Sequence, residues 1–188
     1  MLRSKTPESW VDTVLADFDT FLIDHAAAEK KASGMAMSML SHYPDKEDIV
    51  RAMADLAIEE LAHFKEVLKI MIERGLTLAP DTKDPYVNAL RQHFRKGSNV
   101  FFLDRLLVGG IVEARGCERF DLVAQALPDG RLQKFYRAIA DSEAKHHELF
   151  ITLAKTHFDD NTVEVRLSEL LDIEAEIVRA LPIRSALH

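Results

Sequence analysis

Residues 58–67 read IEELAHFKEV and residues 141–150 read DSEAKHHELF. Each carries a Glu three positions before a His, Glu60–His63 and Glu143–His146. On a helix that spacing puts both side chains on one face at one depth. A single acidic residue precedes each pair at nearly the same distance: Glu29 stands 31 residues before Glu60, and Glu113 stands 30 before Glu143. With fifteen Glu and eight His in the chain, one Glu-x-x-His arises by chance about 0.6 times, so neither motif decides anything alone. The repeat does. On four antiparallel helices it collects four carboxylates and two imidazoles in a bundle core, a donor set for a pair of iron or manganese ions.

The punctuation around these stretches supports four long helices. Thr6 before Pro7 reads as an N-cap with proline at the first helical position, opening a short helix with Trp10, Val14 and Leu15 on its apolar side. A long helix follows from about Asp17 to about Ser41, closed by Pro44. A second begins at Asp45 and ends at Gly75, which supplies a left-handed cap, with Arg74 complementing the helix dipole. Residues 76–84 read as a loop crossing the bundle, and a short helix is expected over about 85–96. After Gly97–Ser98–Asn99 a third long helix runs to about 126. Pro128–Asp129–Gly130 is a tight turn that returns the fourth, about 131–156, antiparallel to the third. His157–Asn161 breaks it, and Thr162 is expected to cap a last amphipathic helix carrying Val165, Leu167, Leu170, Leu171 and Ile177, ended by Pro182. The expected class is all-α: a four-helix bundle with short helices at the N-terminus, the mid-chain crossover and the C-terminus.

Bulk properties agree. A chain of 188 residues, 47% hydrophobic and 29% charged, suits one domain over 1–188 with a substantial core. No apolar run approaches the roughly 20 residues of a membrane span, and MLRSKTPESW lacks the apolar stretch of a secretory signal. One cysteine, Cys117, cannot form an intramolecular disulfide and suits a reducing cytoplasm. The net charge of −7 gives no global signature for nucleic acid.

Neighbours three, four and seven positions away identify the faces. Glu60 shares its face with Met53, Leu56, Ala57, His63, Phe64 and Val67; Glu143 with Tyr136, Ile139, Ala140, His146, His147 and Phe150. Glu29 lies among Leu22, Ala26, Ala32, Ser33 and Ala36, and Glu113 among Leu106, Gly109, Gly110, Gly116, Cys117 and Phe120. A carboxylate on such a face is costly to bury unless a cation neutralises it. Glu59, beside Asp55, Ala62 and Glu66, reads as solvated. Glu148 looks outward, and Glu118 breaks the repeat spacing. The expected metal ligands are therefore Glu29, Glu60, His63, Glu113, Glu143 and His146. Hard oxygen with some nitrogen favours iron or manganese over a thiolate-seeking metal, and six ligands exceed the usual four of zinc.

Other residues read more simply. His147 borders the inner face and is expected to support the ligands from beside them. Tyr136 is a core tyrosine that a redox role would also fit. Met35, Met37, Met39 and Met53 are expected to fill core gaps, and Cys117 to be a buried, inert thiol. His25, one turn before Glu29, lines a channel or sits at a helix interface. Arg91, Arg95 and Lys96, with His93 and Phe94, form the strongest basic cluster.

The stretches HAAAEKKASGMA around Glu29, IEELAHFKEV, GGIVEARGCERF around Glu113 and DSEAKHHELF resemble those of ferritin-like carboxylate di-iron proteins. More narrowly, they resemble the MiaE family of bacterial tRNA 2-methylthio-isopentenyladenosine hydroxylases, over nearly the whole chain. The resemblance implies a ferritin-like fold and a pair of iron ions held by the six ligands. It also implies oxygen-dependent hydroxylation of the isopentenyl group of a modified adenosine beside the anticodon, with molecular oxygen as co-substrate. The partners it implies are tRNA and a separate reductase, since no flavin, haem or cysteine-ligated cluster is written in the chain; the protein is expected to be a monomer. Arg91, Arg95 and Lys96 are the candidates for contacting tRNA. The competing readings are a ferroxidase or peroxide-handling protein of the same fold class, and a helical scaffold without catalysis.

Overall fold

The computed structural model describes residues 2–188; Met1, the first residue of the expected 1–188 domain, lies outside the described residues. Among those described, seven helices and no strand are found: α1 (Glu8–Ala16), α2 (Phe18–His42), α3 (Glu47–Glu73), α4 (Pro85–Arg91), α5 (Ser98–Ala126), α6 (Arg131–His157) and α7 (Asp160–Ala180). None is long and apolar enough to cross a membrane. The chain divides into two compact units, one of residues 13–82 with 184–187 and the other of residues 2–12 with 83–183 and 188.

The first unit is the α2–α3 hairpin. Asp17 caps α2 by accepting a hydrogen bond from the Thr20 amide at 3.2 Å. Its buried face carries Phe21, Leu22, His25, Ala26, Glu29, Ala36 and Met39, against Ile49, Met53, Leu56, Ala57, Glu60 and Val67 of α3. Helix α3 closes as expected: Gly75 has φ +73, and the Gly75 and Leu76 amides donate back to the Ile72 and Met71 carbonyls, satisfying the last turn. Arg74 does more than meet a helix dipole. Its guanidinium pairs with Asp19 at 2.6 Å and lies over the Phe18 ring, joining the end of one helix to the start of the other. The start of α3 differs from expectation. Lys46, not Asp45, occupies the cap position without a side-chain bond, and Glu47 and Asp48 place acidic charge on the first turn instead.

The second unit is built on the α5–α6 hairpin with α4 and α7. At Gly109 the two long helices approach so closely that a Cβ would lie 2.9 Å from the Phe150 ring, so only glycine admits the aromatic there. Two buried ionic clusters fasten α5 outward. In one, Arg115, fully buried, donates to Glu174 of α7 at 2.7 Å and also bonds Glu118 and the Ser4 carbonyl. Burial and the Glu174 charge push the Tyr86 phenol well above its ordinary pKa, so its hydroxyl stays protonated and donates to Glu174 at 3.0 Å. In the other, fully buried Asp104 accepts from Arg95 at 2.8 Å and from Arg166 at 2.9 Å.

Two departures from the sequence reading trace to these clusters, and others are local. The Thr6 hydroxyl, expected to cap α1, donates instead to Glu118 at 2.8 Å. Helix α4 stops at Arg91 rather than near 96, because the Arg95 amide turns to donate to Asp104 at 2.7 Å. Helix α7 is capped by Asp159, which accepts from the Thr162 amide at 2.9 Å, so Thr162 lies inside the first turn. Its buried face then takes Val163, Arg166, Leu170, Leu171, Glu174 and Ala175, while Val165 is 52% exposed. Leu15 and Met37 are likewise exposed, whereas Trp10, Val14, Met39 and Met53 are core.

Candidate metal centre

Within the α2–α3 hairpin, Glu29, Glu60 and His63 offer ligand atoms within 4.8 Å of one another. The His63 Nδ1 lies 3.7 Å from a carboxylate oxygen of Glu29 and 3.7 Å from one of Glu60. Both carboxylates are buried, and the His63 side chain is 14% exposed. Burial of the ring disfavours its charged form, but hydrogen bonds and charge from Glu29 and Glu60 overcome this and push the His63 pKa up to about 10. A proton on the imidazole thus supplies the positive charge that two buried carboxylates require when no cation does. His25, fully buried, lies one helical turn before Glu29 with its Nε2 2.5 Å from the Glu29 carboxylate. It lies on the buried face of α2, as one of its two expected roles allows, and it also orients the Glu29 carboxylate. Ser33, on the next turn of the same face, donates to the Ala57 carbonyl at 2.8 Å and ties the two helices beside the triad.

Within the α5–α6 hairpin the arrangement recurs. Glu113, Glu143 and His146 offer atoms within 4.8 Å of one another. The His146 Nδ1 is 3.9 Å from Glu113 and 3.7 Å from Glu143, and here all three side chains are buried. Gly116 leaves space beside the Glu143 carboxylate, 3.9 Å from where a Cβ would stand. His147 is not in the triad. Its Nδ1 donates to the Gly110 carbonyl at 2.6 Å, which fixes the ring and braces α6 on α5 next to His146. Tyr136 is fully buried against Phe120 and Phe135. Cys117 is half-buried, not buried as expected; desolvation, followed by the charges of Glu143 and Asp121, raises its thiol pKa and favours the protonated form.

The donor set fits a divalent first-row metal in each triad: two buried carboxylates and one imidazole on packed helices. Glu59 and Glu148, set aside on the sequence, are exposed. The basic cluster is elsewhere, at the α4–α5 turn. Arg91 and Lys96 are exposed there, while the Arg95 guanidinium is engaged by Asp104. Although burial favours the neutral acid, hydrogen bonds from Arg95 and Arg166 hold the Asp104 carboxyl below its ordinary pKa.

Known proteins resemble this chain over most of its length. The model of the family described as tRNA-(MS[2]IO[6]A)-hydroxylase (MiaE) matches residues 1–188. A Pseudomonas putida protein named tRNA 2-(methylsulfanyl)-N(6)-isopentenyladenosine(37) hydroxylase is 35% identical over 179 residues, 95% of this chain and 87% of that protein. A Salmonella typhimurium protein of the same name is 30% identical over 155 residues, 82% of this chain but 56% of that one. A solved Synechococcus structure, titled as protein 43 with aldehyde deformylating oxygenase activity, superposes with a TM-score of 0.92 at 35% identity, covering 98% of this chain and 92% of that one. The all-α, ferritin-like class expected from the sequence is borne out.

Proposed function

Because the chain belongs to the MiaE family of tRNA hydroxylases, we propose that it hydroxylates the isopentenyl group of 2-methylthio-isopentenyladenosine in tRNA. The whole-length family match carries this reading. The two triads support it, since each provides the ligands of one metal and the repeat provides two. Glu29, Glu60, His63, Glu113, Glu143 and His146 would hold a pair of iron ions, in a single domain over 1–188. When bound, the metal pair supplies the redox chemistry that activates molecular oxygen. Replacing a C–H bond by C–OH takes one atom of oxygen; the other leaves as water with two electrons and two protons. One cysteine cannot ligate an iron–sulfur cluster, so the electrons come from a separate reductase. The protein itself orients the ligands through His25 and the helix faces, and the apolar residues around them keep bulk water away. The reading places a monomer in the cytoplasm, where its tRNA substrate is.

The structural match favours a second reading, in which an aldehyde loses its formyl carbon at the same site. Product analysis separates the two. Iron-loaded protein, a reductant and oxygen are incubated with tRNA bearing the modified adenosine, or with an aldehyde. A hydroxylated nucleoside, absent from the tRNA of a strain lacking the protein, supports the hydroxylase. Unchanged hydroxylated nucleoside in that strain, together with aldehyde consumption in vitro, overturns it.

A further inference from the structure

Resting on that tRNA reading, we infer that the α4–α5 turn is an RNA-docking surface, in which Phe101 stacks an unpaired base and Arg91 and Lys96 contact the flanking phosphates. Residues 91–105, RQHFRKGSNVFFLDR, carry four basic side chains and one acidic one, a local +3 in a chain of net −7. The acidic one, Asp104, is fully buried and turned inward on Arg95 and Arg166, so it presents no negative charge to a ligand. What faces solvent is Arg91, His93 and Lys96, with the Phe101 ring 37% exposed. Phe94 braces that ring in a T-shaped contact at 5.4 Å. A partly exposed aromatic on a turn that also exposes cations is the combination that single-stranded RNA rewards, because every base offers a π face and every linkage a phosphate.

The turn is also rigid. Asp104 binds the Arg95 amide at 2.7 Å and its guanidinium, and Arg166 reaches past Asp104 to donate to the His93 carbonyl at 2.8 Å. An exposed turn held by a buried two-arginine clamp loses little freedom when a ligand docks. Arg95 is thus a positioning residue of this surface and does not itself hold a phosphate. Phe101 lies twelve residues before Glu113 on α5, about 18 Å along the helix. That is too far for the reacting nucleotide itself, so Phe101 meets a neighbouring part of the same RNA.

The test uses the iron-loaded full chain and an anticodon stem-loop RNA carrying the modified adenosine, with affinity read by fluorescence anisotropy across a salt series. Phe101→Leu is expected to bind about tenfold more weakly at every salt concentration, while Phe101→Tyr binds like the parent. Arg91→Ala with Lys96→Ala is expected to flatten the slope of log affinity against log salt by about 0.7 for each phosphate that the protein no longer neutralises. Thermal midpoint, iron content and reduction by dithionite stay unchanged in all three. Parent-like RNA affinity in Phe101→Leu and in the double variant overturns the surface while leaving the substrate assignment intact. Loss confined to the rate of reduction by a protein electron donor overturns it too, by assigning the patch to that donor. Failure of the parent protein to bind the RNA at all overturns the tRNA reading and this inference with it.

Discussion

The α2–α3 and α5–α6 hairpins carry the same triad on different packing. In both, a Glu-x-x-His pair on one helix meets a lone Glu on the other, with Nδ1-to-carboxylate distances of 3.7 Å in one and 3.7 and 3.9 Å in the other. One turn before the lone Glu, the first hairpin has His25 and the second has Gly109. One turn after the His, the first has Val67 and the second Phe150. In one hairpin a ring on the lone-Glu helix orients the carboxylate; in the other, glycine makes way for a ring from the opposite helix, which fills the core. The carboxylate and imidazole set is repeated, whereas the remaining volume is divided differently because packing demands only that it be filled.

The largest effect should come from removing a member of the triad in either hairpin. Glu113→Ala or His146→Ala, like Glu29→Ala or His63→Ala, is expected to lower bound iron from about two per chain to one or fewer, and to reduce hydroxylation by more than about 100-fold. Metal analysis and turnover check this, and a variant that keeps both ions would break the equivalence of the triads. His25→Ala probes the first asymmetry. It should weaken iron binding by about 10- to 100-fold without unfolding the hairpin, read by competition with a chelator; an unchanged affinity would reduce His25 to packing.

Glycine substitutions should then part in sign. Gly109→Ala drives a Cβ into Phe150 and is expected to cost about 1–3 kcal/mol. Gly34→Ala, in α2 with nothing within 4 Å, should stabilise by about 0.5–1 kcal/mol. Thermal melts of the two variants measure both.

The smallest effect is on pH. The metal-free protein holds a proton on His63, whose pKa is raised from 6.5 to about 10. A raised pKa contributes stability that is complete below the ordinary value and is lost as pH rises through the folded one. The metal-free thermal midpoint should therefore fall between about pH 7 and 10, and iron uptake near neutral pH should release a proton from His63. His63→Gln is expected to abolish both signals; their persistence would place the titration elsewhere.

Much of this was legible in residue spacing. Period-3.6 faces separated Glu60 from the exposed Glu59, and proline, glycine and capping residues located all four long helices within a few positions. What spacing could not see were groups whose partners lie far along the chain. Thr6 looked like a cap because its neighbours in sequence suit one, yet its hydroxyl is bound 112 residues away by Glu118. Arg115 and Asp104, charged residues of α5, are both fully buried against α7. Arg95 was a candidate for contacting tRNA, whereas Asp104 holds it. His25 was the nearest miss, since its four-residue offset from Glu29 already allowed the contact.

The sequence alone therefore determined the helical class, the two Glu and Glu-x-x-His elements and the six residues proposed to hold metal. Helical periodicity makes those local properties readable from spacing. Only the tertiary structure decided which carboxylate is buttressed by His25, where Phe150 displaces a side chain, and which arginines are locked into the interior. These depend on pairings between distant elements, where volume and charge must balance against partners that no local pattern names.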